Sequence, residues 1–561
     1  MSESNDVREQ VQWDRSWHTV THALVPPDVP SSPDLIEEWE PELKAPDAAF
    51  VDAMLDVLDP RTRLPHATHT EDIIVWHTNQ VRYHFLRHVL PIVLRLSDDA
   101  DSEALLLKII KLLGAVHRPY IAGLSIILTT LETIRPGASP SISQRLRRDL
   151  HAIINHSVTE RIAGALKIVL RQHIFTILCV PMVPKIQNLM LPAESAVTNK
   201  SRGALLTLVG LLQEVGLAGE RFQITFAEIM NEAMSQYVYI GCKGIWSTED
   251  AEARKQHNIQ VLQGIKNRTG LILPRTARHT PASECVTDLC DWIENGYARL
   301  AVQVFHALDA AQANRVDISW RQVEIWKEMG IGHLASLRTS EMFDIVVSWP
   351  HSSAALDDLR TAITTPHRRL RLTEVFSQTM AETLLHPGAS TQQILQSYIS
   401  MISSFHALDH SKILLDRVAF PLQAYLCSRE DTVRIIITGL LADTEDAQGN
   451  PISPGGDRLV ELALLLNKGE EQTGQKANDD ELDWHDSEWI PDPVDAGPGY
   501  KRSKSADILG TLIAVLGSQD VFIKEFQSII GEHLLKNDGG FEKEVGHYFP
   551  GWYVQMLTNT R

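Results

Sequence analysis

The stretch ADILGTLIAVLG, Ala506 to Gly517, decides the fold class. Its apolar residues Ile508, Leu509, Leu512, Ile513 and Leu516 fall at i, i+1, i+4, i+5 and i+8, which gathers them on one side of a helix. The next segment repeats the pattern with Phe522, Phe526, Ile529, Ile530 and Leu534. Between the two lies Gly517, with Ser518 or Asp520 as candidate N-cap, so a short turn between two helices is expected.

Upstream the same periodicity recurs in SEALLLKIIKLLG, SRGALLTLVGLLQEVG, RLAVQVFHALDAAQ, LQSYISMISSFHALD, SKILLDRVAFPLQAYLC and EDTVRIIITGLLAD. Each stretch is closed by Pro, Gly, Asp or Asn clusters, and runs alternating with period two are scarce. The chain therefore reads as all-α. A strict repeat is not visible, which disfavours regular tetratricopeptide or armadillo arrays and leaves larger, degenerate helical bundles. Breaks are expected near Arg135 to Ser143, near Pro274 to Ser283, and in an acidic segment beginning near Ala442.

With 561 residues, 44% of them hydrophobic and 22% charged, the chain has material for more than one core. The polar start MSESNDVREQVQWDRS carries neither a secretory signal nor a transit peptide. Apolar runs are cut by polar residues, as Gln213 and Glu214 cut ALLTLVGLLQEVGL, so no membrane span is expected. Five scattered cysteines without a CxxC read as reduced thiols and cannot supply a RING's ligands. The net charge of −19 opposes general nucleic-acid binding. Most of that charge is local: residues 441 to 500 hold fifteen Asp and Glu against three Lys and Arg, leaving −7 for the other 501 residues.

Catalytic, cofactor-binding and metal-binding residues are not expected. His84 and His88 have the i, i+4 spacing of a helical metal pair, but Phe85 stands where a zincin would carry Glu, and no third ligand is apparent. Cys427 reads as a buried or half-buried thiol rather than a nucleophile. The GIG at Gly330 to Gly332 follows no strand and lacks GK[ST]. The basic runs RLRR (Arg145 to Arg148) and HRRLR (His367 to Arg371) read as solvated faces, and KRSK (Lys501 to Lys504) as a weak import signal or a counterweight to the acidic run.

Two stretches go further. SKILLDRVAFPLQAYLCSREDTVRIIITGLLAD, Ser411 to Asp443, holds a helix, a turn with Arg429, Glu430, Asp431 and Arg434, and a second helix. EWIPDPVDAGPG, Glu488 to Gly499, is followed by KRSK and the two helices through Leu535. In this order the motifs resemble the cullin family in the form it takes in the anaphase-promoting complex. The resemblance implies a non-catalytic scaffold of a ubiquitin ligase acting on mitotic regulators, found in nucleus and cytoplasm. It further implies an elongated stack of helical bundles (cullin repeats) that holds other subunits, then a C-terminal domain that holds a RING subunit.

The implied organisation is an N-terminal segment over 1–50, a helical stalk over 51–441, an acidic linker over 442–500, the start of a C-terminal cullin domain over 501–545, and an aberrant tail over 546–561. The last piece, GHYFPGWYVQMLTNTR, departs from the family, so early termination and loss of the RING-docking region are expected. A helical solenoid adaptor or transport protein shares the acidic charge and the missing catalytic motifs, without needing WIPDPVD. Pro491 and Pro493 push Ile490 and Asp492 toward extended backbone. Two readings of that segment remain: a flexible spacer, or a strap docked through Trp489, Pro491, Pro493 and Val494, which the size of the indole favours.

Overall fold

The computed structural model describes residues 2–30, 39, 47–58, 70–98, 103–134, 139–157, 159–180, 195–247, 284–309, 319–409, 411–440, 494–495, 524–525, 527–529 and 531–532. Among these every regular element is helical. The opening stretch 506–517 lies outside the described residues, while those of the segment after it are helical. Two compact units emerge, each discontinuous in sequence: Met1–Tyr237 with Trp292–Glu324, and Val238–Asp291 with Ile325–Arg561. The break expected near Arg135 falls inside the first unit, and the one near Pro274 lies outside the described residues.

The first unit begins with α1 (Ser2–Ala23), α2 (Ala48–Leu58) and α3 (Thr70–His84), which runs through a π-helical turn, Phe85–Val89, into α4 (Leu90–Asp98). Then come α5 (Glu103–Ile134), α6 (Ser139–Ser157), α7 (Glu160–Ile177), α8 (Ser195–Val215) and most of α9 (Glu220–Cys242), whose residues from Val238 on belong to the second unit. The unit also takes in part of α10 (Glu284–Trp292), a second π turn (Ile293–Tyr297) and α11 (Ala298–Asp309). Val20, Met54, Ile73 and Ile127 from α1, α2, α3 and α5 close one core.

Sequence reading missed one property of α5. Its span Leu106–Thr133 is long and apolar enough, by length and composition, to cross a membrane, despite Lys108, Lys111 and Arg118. Half of its most apolar window is buried inside the protein, and the helix packs on α2, α3, α4, α6, α7 and α8. A helix with neighbours on several sides is apolar on several sides. Gly123 permits the closest approach, because a Cβ there would lie 2.9 Å from the His77 ring of α3.

The second unit contains most of α12 (Trp320–Val347), then α13 (Ser353–Ala362), α14 (Pro366–Leu384), α15 (Thr391–Leu408), α16 (Ile413–Cys427) and α17 (Thr432–Leu440). Local sequence sets these boundaries. Thr365 accepts the Arg368 N–H at 3.4 Å with Pro366 at the first helical position, and Ser390 accepts the Gln393 N–H at 3.2 Å. One core runs through all six helices, with Met342, Leu359, Phe376, Tyr398, Leu414 and Ile437 at its centre. Ile529 is buried in the same core, which ties the residues after the acidic linker to the helices before it.

Candidate functional site

In the second unit the buried charged side chains among the described residues gather in two knots around arginines. Arg338 of α12 is fully buried. Its Nε donates to Asp358 of α13 at 2.8 Å, its Nη1 to Glu341 at 2.8 Å and its Nη2 to the Ile245 carbonyl at 2.8 Å. Glu341 in turn accepts the Gly244 N–H at 2.9 Å and the Trp246 indole N–H at 3.2 Å. Burial works against the guanidinium charge, and the Asp358 carboxylate outweighs it, so the Arg338 pKa is raised. The knot fastens the chain after α9 to α12 and α13.

The second knot reaches into the linker. Arg369 of α14 is buried, hydrogen-bonds Asp409 after α15, and donates through Nε to Asp495 at 2.8 Å. Asp495 also lies 2.9 Å from Arg417 Nη1 of α16, and its side chain is 9% exposed. Asp409 is oriented by the Ser411 N–H at 2.9 Å and the Ser411 hydroxyl at 2.6 Å. Burial opposes its charge, but the Ser411 and Arg369 hydrogen bonds prevail and hold the Asp409 carboxyl below its usual range. One carboxylate from the linker thus bridges α14 and α16.

This arrangement alters the reading of HRRLR. Arg369 is buried, and half-buried Arg368 lies 2.8 Å from the Glu328 carboxylate and donates to the Ala362 carbonyl at 2.9 Å. Only His367, Leu370 and Arg371 of the run face water. A linear sequence shows the cations and not the carboxylates 40 and 126 residues away that neutralise Arg369.

Of the residues proposed for linker docking, Trp489, Pro491 and Pro493 lie outside the described residues. Val494 is described and is 70% exposed, and its neighbour Asp495 makes the anchoring contact. The REDTVR turn does assemble. Arg429 donates to Thr391 at 2.9 Å and to the Tyr425 hydroxyl at 3.0 Å, and Thr391 donates to Asp431 at 2.9 Å. Thr432 closes the turn on the Leu426 carbonyl at 2.8 Å. Glu430 is exposed, and Arg434 lies 3.4 Å from Glu532, beyond the linker. The motif joins α15, α16 and α17.

The remaining candidates resolve simply. Both nitrogens of His84 are engaged: the Tyr120 hydroxyl lies 2.7 Å from Nδ1 and the Pro27 carbonyl 3.1 Å from Nε2. The carbonyl can only accept, so Nε2 carries the proton and Nδ1 accepts from Tyr120. Among the described residues no group of His, Cys, Asp and Glu could hold a metal ion. Cys427 is exposed, not buried, because it ends the outward stripe of α16 that includes Arg417, Phe420 and Ala424. Gly330 to Gly332 lie inside α12, where a Cβ on Gly332 would meet Arg368 Nη2 at 3.1 Å. The RLRR arginines Arg145, Arg147 and Arg148 are exposed, and Arg147 and Arg148 line an open depression of about 490 Å³ with His151 and Asn155.

Fold and site together define a helical-repeat protein whose polar interior serves cohesion. Residues 321–429, from α12 through the Arg429 turn, match the family described as ANAPC2-like, TPR repeats. The reading against tetratricopeptide repeats is thereby corrected: helices of 28, 10, 19, 18 and 15 residues carry no fixed period for the eye to find. The chain is similar to anaphase-promoting complex subunit 2 of Homo sapiens, 38% identical over 203 residues, which are 36% of this chain and 23% of that protein. The subunit of Arabidopsis thaliana is 33% identical over 219 residues, 38% of this chain and 25% of the relative. That of Schizosaccharomyces pombe is 29% identical over 256 residues, 46% and 34% respectively. The matches span about a quarter to a third of the length of these relatives.

Proposed function

We propose that this chain is a non-catalytic scaffold in the anaphase-promoting complex, a ubiquitin ligase acting on mitotic regulators. The observation that carries this reading is the coincidence of the family match over 321–429 with a continuous, internally cross-linked helical core over the same residues. A scaffold acts by raising the effective concentration of one protein's reactive group beside another's, which demands rigidity and binding faces, not acid–base machinery. Arg338, Arg369 and their carboxylates suit that demand, because each polar group is spent on holding helices together. Other subunits of the complex are its partners in this reading, and nucleus and cytoplasm its compartments.

The experiment is affinity purification of the tagged chain from dividing cells, followed by mass spectrometry. Enrichment of several other subunits of the anaphase-promoting complex is the expected result. Recovery of trafficking components alone would overturn the proposal in favour of the adaptor or transport reading, and turnover of a substrate by the isolated chain would overturn it outright.

A further inference from the structure

On α6 the residues Gln144, Arg147, Arg148, His151 and Asn155 stand at i, i+3, i+4, i+7 and i+11, a spacing that turns all five to one side of the helix over about 17 Å. They line the open depression of about 490 Å³ in the first unit. Its other wall includes Gly216, just past α8, where backbone at φ +77° and the nearness of the His151 ring both exclude a Cβ. The charge inside is of one sign. Arg147 and Arg148 are exposed and neither pairs with a carboxylate among the described residues, although other cations of this unit do: Arg118 with Glu214, Lys167 with Glu228 and Arg171 with Glu232. Asp149 shares the helix but sits roughly 100° round it from Arg148. Near the end of α8 the Leu212 and Gln213 carbonyls accept from the Leu217 and Gly216 N–H groups at 2.8 and 3.1 Å, so these acceptors are already engaged.

We propose that this depression binds a segment of a partner protein carrying phosphoserine or phosphothreonine, with Arg147 and Arg148 clamping the phosphoryl group. From the scaffold reading this takes only that the partner is a protein. The two cations are adjacent within the stripe, and neutral hydrogen-bonding side chains, Gln144 and Asn155, stand on either side of them. One doubly charged group suits that arrangement, whereas a run of aspartates or glutamates would call for cations spread along the helix. A phosphoryl group brings nearly two negative charges and three acceptor oxygens, which guanidinium forks match in pairs. Gln144 and Asn155 can donate to and accept from the main chain of an extended segment on each side of it. His151, whose pKa burial and Arg147 both lower, hydrogen-bonds there as a neutral ring, and His117 of α5 stacks on it with ring centroids 5.8 Å apart. The net charge of −19 repels a long polyanion, while a single phosphoryl group responds to the cations within a screening length of about 8 Å.

The test passes the full purified chain over three immobilised peptide libraries that share randomised flanks and differ at the central position: phosphoserine with phosphothreonine, serine with threonine, or glutamate. Retention by the phosphorylated library alone is the expected result. Arg147→Ala and Arg148→Ala should each weaken it about tenfold, the worth of one charge-assisted hydrogen bond. Arg145→Ala removes the same charge from the same helix outside the depression and should leave retention unchanged. All three side chains are exposed, so the variants keep the fold, which hydrogen exchange of α5 verifies. Absence of retention overturns the proposal, as does equal retention by the glutamate library or an equal loss in Arg145→Ala. Binding to vesicles of phosphatidylcholine and phosphatidylserine in place of the peptides would overturn it too, giving the face to a membrane. The peptides are synthetic and the chain is isolated, so failure here leaves the scaffold reading, tested by co-purification, untouched.

Discussion

The two units bury different kinds of polar group. The first buries imidazoles: His77, His84, His117 and His173 are each less than 9% exposed. Burial lowers the pKa of His77 and His84, with His88 adding to the effect on His84, and burial together with His151 takes His117 down to about 4. The second unit buries Arg338 and Arg369 against Asp358, Glu341, Asp409 and Asp495. A neutral imidazole needs no counter-ion but fails when acid forces a proton on it. A guanidinium keeps its charge at every accessible pH and fails when its carboxylate is lost.

The largest expected effect breaks the second pattern. Arg338→Met should cost the second unit about 3–5 kcal/mol, because it leaves Asp358 and Glu341 buried without their cation. Hydrogen exchange of α13 should rise accordingly while α5 of the first unit keeps its protection. Equal loss in both helices would show that the knot is not local.

Acid should separate the units next. A histidine whose folded pKa is depressed binds its proton first in the unfolded chain, so stability is full above pH 6.5 and falls as pH drops toward the folded value. For His117 the window is 6.5 to about 4, a loss of about 3 kcal/mol, and His77, His84 and His151 shift in the same direction. In the second unit His333 shares that sign, whereas Asp409, with a depressed carboxyl, retains its contribution until pH falls below the usual carboxylate range. Exchange of α5 measured from pH 7 to 4.5 should therefore accelerate, after correction for intrinsic rates, well before that of α15. His117→Phe should flatten the dependence, and an unchanged slope would exclude His117 as its source.

The smallest effect lies on the surface of the first unit. Lys167–Glu228 and Arg171–Glu232 join α7 to α9 at 2.9 and 2.8 Å with all four side chains well exposed. Lys167→Ala should change stability by no more than about 0.5 kcal/mol, and that little should vanish in 1 M salt. A larger change in chemical denaturation would mean that solvent screens this pair less than its exposure suggests.

The same contrast explains what the sequence disclosed. Helical periodicity placed α8 and α11 in the first unit and α15, α16 and α17 in the second, since each carries a buried apolar face. Arg429 and Asp431 were also legible as a pair, since both meet Thr391 at one turn, whereas the Glu532 partner of Arg434 lies 98 residues away. Arg369 was not, because a buried arginine and an exposed one are spelled alike and its partners lie far along the chain. Nor was Asp495: the bulk of Trp489 is the conspicuous feature of WIPDPVD, whereas the described contact uses the carboxylate at its far end.

The grip of α14, α16 and α17 on Asp495, Ile529 and Glu532 has one more consequence. A protease that nicks the polypeptide anywhere between residues 441 and 493 severs a covalent bond but not the association, for the downstream fragment still has its carboxylates and its isoleucine lodged in the upstream one. Scission there yields a two-piece molecule that co-migrates until a denaturant parts it.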